Sequence, residues 1–98
     1  MTAPGLNLDF LEGSSFSRRV RPVPGLANVV RSSLCDSPPL QGLQAWQCEF
    51  KGRTFGVVID RRGQKVRLLY IFDLPAEESL FSQKLAEIRG RSRDQEAL

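Results

Sequence analysis

The sequence predicts a small α+β domain built on a three-stranded antiparallel meander at about 45–50, 53–60 and 65–72. A C-terminal helix at about 75–89 is expected to pack it, with a short helix near 25–35 and an extended N-terminal arm. Two observations carry the prediction. Turn signals at Lys51-Gly52 and around Gly63 split a long alternating stretch into three strands, and an amphipathic run follows at once.

Residues 1–23 read as an arm, with partial disorder as an alternative, ahead of one domain over 24–98. Phe16–Val23 alternates Arg18, Arg19 and Arg21 with Val20 and then meets Pro22 and Pro24. That pattern suits an extended edge strand or a docking arm. Pro24-Gly25 opens a short helix to about Cys35, with Leu26, Val29, Val30 and Leu34 on one side. Asp36-Ser37-Pro38-Pro39 ends it, and turn residues lead to Gly42.

In the meander, a two-residue loop at Lys51-Gly52 pairs Phe50 with Arg53, Cys48 with Phe55 and Trp46 with Val57. A four-residue loop at 61–64 pairs Asp60 with Lys65, Ile59 with Val66, Val57 with Leu68 and Phe55 with Tyr70. Both loops turn the same side of the middle strand inward. That face holds Trp46, Cys48, Phe50, Phe55, Val57, Ile59, Val66, Leu68, Tyr70 and Phe72, and a one-residue slip would expose all of it. The other face mixes Gln47, Glu49, Thr54, Asp60, Lys65 and Arg67 with Ala45, Gly56, Val58, Leu69 and Ile71. It needs cover from the 25–35 helix, a partner or a second copy. The third strand is left at an edge, which the Arg18–Val23 arm or another chain could occupy.

Pro75 suits the first turn of the last helix, and Ala76, Leu80, Phe81, Leu85 and Ile88 fall on one side of its wheel. That side is the expected lid for the aromatic face. Gly90 is the expected C-cap, and Arg89, Arg91 and Arg93 sit at the helix end favoured by its dipole.

Composition narrows the function. There is no histidine, which removes the usual general base and the commonest metal ligand. Cys35 and Cys48 are spaced as neither a redox pair nor a zinc site, and Cys48 is expected in the core. No Walker loop, dinucleotide fingerprint or EF-hand occurs. No cofactor, metal or catalytic residue is therefore expected, and the protein is read as a non-enzyme. No apolar run is long enough to span a membrane, and the first residues lack a signal-like pattern, so a cytoplasmic location is expected.

Charge is uneven: residues 45–72 carry +4, against +1 before and −2 after, within a formal +3. Arg61, Arg62, Lys65, Arg67, Lys51 and Arg53 make the meander basic, a cluster able to meet phosphates or carboxylates. The expected function is a small interaction protein (an assembly, regulatory or inhibitory factor) docking on an acidic protein partner. Val58, Leu69 and Ile71 are its candidate apolar contacts. RNA or DNA binding through the basic hairpin is the alternative, although the aromatics alternate inward and leave no stacking platform. Homodimerisation through a sheet edge is a further one.

Gly52-Arg53-Thr54-Phe55-Gly56-Val57-Val58-Ile59-Asp60 followed by Lys65-Val66-Arg67-Leu68-Leu69-Tyr70 is similar in outline to the central hairpin of RelE/ParE-type toxins. The resemblance covers less than a third of the chain and implies ribosome-dependent mRNA cleavage or a related toxic activity. It assigns no residues. The paired N-terminal helices of that family are not read from this sequence.

Overall fold

The computed structural model describes residues 8–96, with side chains described through Ile88. The first seven residues of the expected arm, and the side chains of Arg89, Arg91 and Arg93, lie outside the described residues. Four strands and three helices follow in the order β1 (Asp9–Glu12), α1 (Ser14–Val20), α2 (Leu26–Asp36), β2 (Gly42–Phe50), β3 (Arg53–Arg62), β4 (Lys65–Leu74) and α3 (Glu78–Glu96). The strands form one mixed sheet in the order β1-β4-β3-β2.

The meander is present, but it is not the whole sheet. Strand β1 pairs in parallel with β4, setting Asp9 opposite Lys65 and Glu12 opposite Leu68. The Asp9 and Gly13 amides extend the seam by donating to the carbonyls of Gln64 and Leu68, both at 2.8 Å. The edge of β4 is thus closed by Asp9–Glu12, not by the Arg18–Val23 segment. Residues Ser14–Val20 form a helix instead, because Phe16 and Val20, four apart on a helical face, both reach the core.

The β2/β3 pairing matches the turn-derived register at every expected pair, from Phe50 with Arg53 to Trp46 with Val57. Its Lys51-Gly52 turn has both residues at positive φ, 53° and 76°, as a tight right-twisted hairpin requires. The β3/β4 pairing departs from expectation. The loop is the two residues Gly63-Gln64, so Arg62 faces Lys65, Asp60 faces Arg67 and Ile59 faces Leu68. The register then shifts between Val58 and Ile59, because Val58 pairs with Tyr70 and leaves Leu69 as an extra residue. A bulge of one residue reverses which side the following side chains face. Val66 and Leu68 therefore share a face with Ile59, whereas Ile71 replaces Tyr70 and Phe72 on it.

Each face has its own core. On the first, α1 and α2 bring Phe16, Val20, Leu26, Val30 and Leu34 against Cys48, Phe55, Val57, Ile59, Val66, Leu68 and Ile71. Trp46 packs at its border and donates its indole N–H to Ser33 Oγ at 2.9 Å. On the second, α3 lays Phe81, Leu85 and Ile88 over Val58, Phe72, Tyr70, Leu74 and Ala45. The expected assignment of covers is reversed: α2 backs the Trp46 face, and α3 backs the other. Leu80 and Ala76 are exposed, which corrects the predicted wheel to an i, i+4, i+7 stripe. The helix starts at Glu78 after a turn at 75–77 and runs through Gly90 without ending there.

Gly56 explains how α3 comes so close. A Cβ built there would lie 2.9 Å from two carbons of the Phe81 ring and 3.1 Å from Leu74. Only a residue without a side chain lets the ring rest on the β3 backbone.

Candidate functional site

The six expected cations divide by strand parity and by sheet end. Arg62, Lys65 and Arg67 come together. They extend from the face that α3 covers, but beyond its packing, and all three are exposed. With Asp60 and Leu11 they line a pocket of about 220 Å³. A second hollow of about 280 Å³ is lined by Leu11, Glu12, Gly13, Arg67 and Leu69. Leu11 and Arg67, opposite each other in the β1/β4 pairing, wall both hollows, and the first of these, the groove, also reaches Asp60 and Arg62 on β3.

The remaining three cations have internal work. Arg61 points to the opposite side, where Nη1 donates to the Pro39 carbonyl at 2.5 Å and Nε to the Gly63 carbonyl at 2.8 Å. It pins the loop before β2 to the β3/β4 turn. Lys51 and Arg53 lie at the far end of β3, with Lys51 Nζ 5.2 Å from the Phe50 ring centre and the Arg53 guanidinium 5.0 Å from that of Phe55. Arg53 also pairs with Asp73 at 2.8 Å. The apolar contact candidates are taken up internally as well: Val58 and Ile71 are buried in separate cores, and Leu69 is half-buried at the bulge.

Electrostatics distinguish the groove from the rest of the surface. Arg62 and Lys65 are directly opposite on neighbouring strands, a like-charge pair that weakens a sheet unless compensated. The compensation inside the groove is Asp60, whose Oδ2 accepts from Arg62 Nε at 3.1 Å. Asp60 is 8% exposed and sits between Leu43 on β2 and Arg67 on β4. Among the described residues, Lys65 and Arg67 have no carboxylate within ion-pair distance. Asp9 is the β1 register neighbour of Lys65 and Glu12 lines the second hollow, so further carboxylates border these cations without pairing with them.

A second charged cluster is satisfied by contrast. Arg19 pairs with Glu77, whose carboxylate also accepts the Asp73 amide at 2.9 Å. The Asp73 amide and then Arg19 hold Glu77 below the usual glutamate range. Arg19 and Arg53 wall a notch of about 270 Å³ over Leu26, Phe55 and Phe72, but both guanidiniums are already paired with carboxylates. Glu12 plays a similar tying role, accepting from Ser17 Oγ at 2.8 Å and from Arg31 Nη1 at 2.5 Å. The Ser17 hydrogen bond lowers its pKa most, burial opposes that, and the hydrogen bond and charge of Arg31 lower it further.

Sequence reasoning found the three cations because they flank a glycine turn. It missed Leu11, whose place in the groove depends on the distant β1/β4 pairing, and Asp60 as a buried carboxylate at its centre. Among the described residues no group of three or more His, Cys, Asp and Glu side chains could hold a metal ion. No helix of the described residues is long and apolar enough to cross a membrane. No protein-family model, curated protein or solved structure matches the chain.

Proposed function

We propose that the protein binds a nucleic-acid backbone through the groove of Arg62, Lys65 and Arg67. The observation that carries this reading is the convergence of three exposed cations there. A cross-strand Arg62/Lys65 pair and the adjacent Arg67 make a single ion pair among the described residues, Arg62 with Asp60, and phosphate oxygens would supply acceptors for the other two. Burial of Val58 and Ile71 also removes much of the apolar contact surface that protein docking was expected to use. The test is fluorescence anisotropy with a short labelled single strand over a range of salt. Affinity falling log-linearly with salt, and lost in Lys65→Glu/Arg67→Glu, supports the reading; no binding at low salt overturns it.

Docking on an acidic protein partner is the second reading. Leu11 and Leu43, 49% and 39% exposed, support it, since Leu11 lines the groove and Leu43 is the β2 neighbour of Asp60. A protein interface buries an apolar centre within a polar rim, and two exposed leucines beside charged side chains offer the apolar part. Its affinity would depend weakly on salt and fall in Leu11→Asp. The toxin-type activity implied by the RelE/ParE resemblance is the enzymatic form of the first reading. Helices α1 and α2 precede the meander, and each packs on the sheet. Slowed growth on induced expression, relieved by Lys65→Glu/Arg67→Glu, is the outcome that form requires.

A further inference from the structure

Asp60 is out of place in a groove that only holds phosphates. A carboxylate beside the cations repels a phosphate and weakens every contact they make. Its position is also unusual: its side chain is only 11% exposed, and it is flanked in the sheet by Leu43 and Arg67. Its Oδ2 alone is engaged, by the Nε of Arg62, a side chain that is itself 84% exposed. Arg67, directly across the strand pair, makes no ion pair with it. Oδ1 accepts no hydrogen bond from the described residues, yet no buried side-chain oxygen among them is without a partner. Oδ1 is therefore accessible from outside the core, and Asp60 lines the pocket with Leu11, Arg62, Lys65 and Arg67.

A fixed carboxylate oxygen facing a ligand accepts from a donor on that ligand. In a site that also holds phosphate, the donor must lie close to a phosphate in the same molecule. The 2′-hydroxyl of a ribonucleotide meets that condition, because it sits on the ribose next to the carbon bearing the 3′-phosphate. It is also the group by which a protein separates RNA from DNA. Resting on the nucleic-acid reading of the groove, we infer that the ligand is RNA and that Asp60 is its specificity residue. Arg62, Lys65 and Arg67 position the backbone by its phosphates, and Asp60 Oδ1 accepts from one 2′-hydroxyl. Phosphate contacts supply affinity without selection, and the carboxylate disfavours a strand that offers no donor in return.

The test uses the full chain and three labelled single strands of one sequence: RNA, DNA and 2′-fluoro RNA, which keeps a ribose-like sugar but cannot donate. Anisotropy at one moderate salt concentration should give RNA about tenfold tighter than either other strand, the size of one hydrogen bond to a charged group. In Asp60→Ala, DNA should bind more tightly than before and the RNA preference should disappear. Asp60→Asn, which keeps an acceptor, should retain part of that preference. Equal wild-type affinity for all three strands overturns the inference while leaving backbone binding in place. Failure of every strand to bind at low salt overturns both. The three-strand comparison needs no variant, so a misfolded Asp60→Ala would not spoil it.

Discussion

The Phe81 ring rests directly on the backbone of Gly56, with no room for a methyl group between helix α3 and strand β3. Gly56→Ala is therefore expected to push Phe81 out of place and destabilise the fold by about 1–3 kcal/mol, the usual range for overpacking. Phe81→Ala should cost about 3–5 kcal/mol through the cavity it leaves. The double variant should fall short of the sum, because the second change removes the clash that the first creates. Urea unfolding of all four proteins measures this directly. Additive effects would mean that the contact does not constrain α3.

Acid should loosen the junction of β4 and α3. Glu77 and Glu12 are held below their ordinary value of 4.5 in the folded state. The unfolded chain then binds more protons in mild acid, so their stabilisation is full above that value and fades as pH falls through the lower folded value. Thermal melts from pH 6 to pH 3 should show a falling midpoint. The fall should be shallower in Glu77→Gln, which starts less stable at pH 6 because Arg19 and the Asp73 amide lose a charged acceptor. An unchanged slope in that variant would exclude Glu77 as a contributor.

The two ends of β3 should separate in binding. Lys65→Glu and Arg67→Glu should each weaken nucleic-acid binding and lower the salt slope by about one. Lys51→Glu, at the opposite hairpin, should leave both nearly unchanged. Arg61→Ala belongs to neither group. It should lower stability by releasing the Pro39 carbonyl, with little direct effect on affinity. Equal losses for Lys51→Glu and Lys65→Glu would mean that binding follows net charge and not the groove.

The two cysteines should differ in reactivity. Cys35 is exposed on α2, whereas Cys48 is buried and its thiol is pushed up by that burial. A thiol reagent should titrate one group quickly at pH 8 and the second only on unfolding. Replacement of Cys35 by Ser should abolish the fast phase alone, which identifies it by mass spectrometry as well as by rate.

The legible parts of the fold are those in which one local signal has one solution. Lys51-Gly52 set the register of β2 and β3 because a two-residue turn with positive φ admits a single pairing. Strand β4 offered no such guide. In Val66-Arg67-Leu68-Leu69-Tyr70-Ile71-Phe72 both parities are apolar after Arg67, because both faces of the strand are covered, and alternation then carries no information about a bulge. Helix α1 was hidden for a different reason. Seven residues with three polar serines and two arginines make too short a pattern, and the prolines just beyond it suggested a strand. In the groove, the glycine turn marked Arg62 and Lys65 as part of a basic cluster, but a four-residue loop was expected there and their cross-strand pairing was not legible. Leu11 could not be placed, since no local feature announces a parallel pairing with a strand so far along the chain.

That same pairing sets an order of events. The β2/β3 and β3/β4 hairpins close over short stretches of chain and can form early, whereas β1 must wait for Lys65–Leu68 to exist before it has a neighbour. During synthesis, the segment Asp9–Glu12 emerges first and is used last. A ribosome paused within the meander would expose a half-built sheet whose final edge is still unclaimed. Of the sheet's three pairings, β1 with β4 closes the longest stretch of chain and is the one expected to form most slowly.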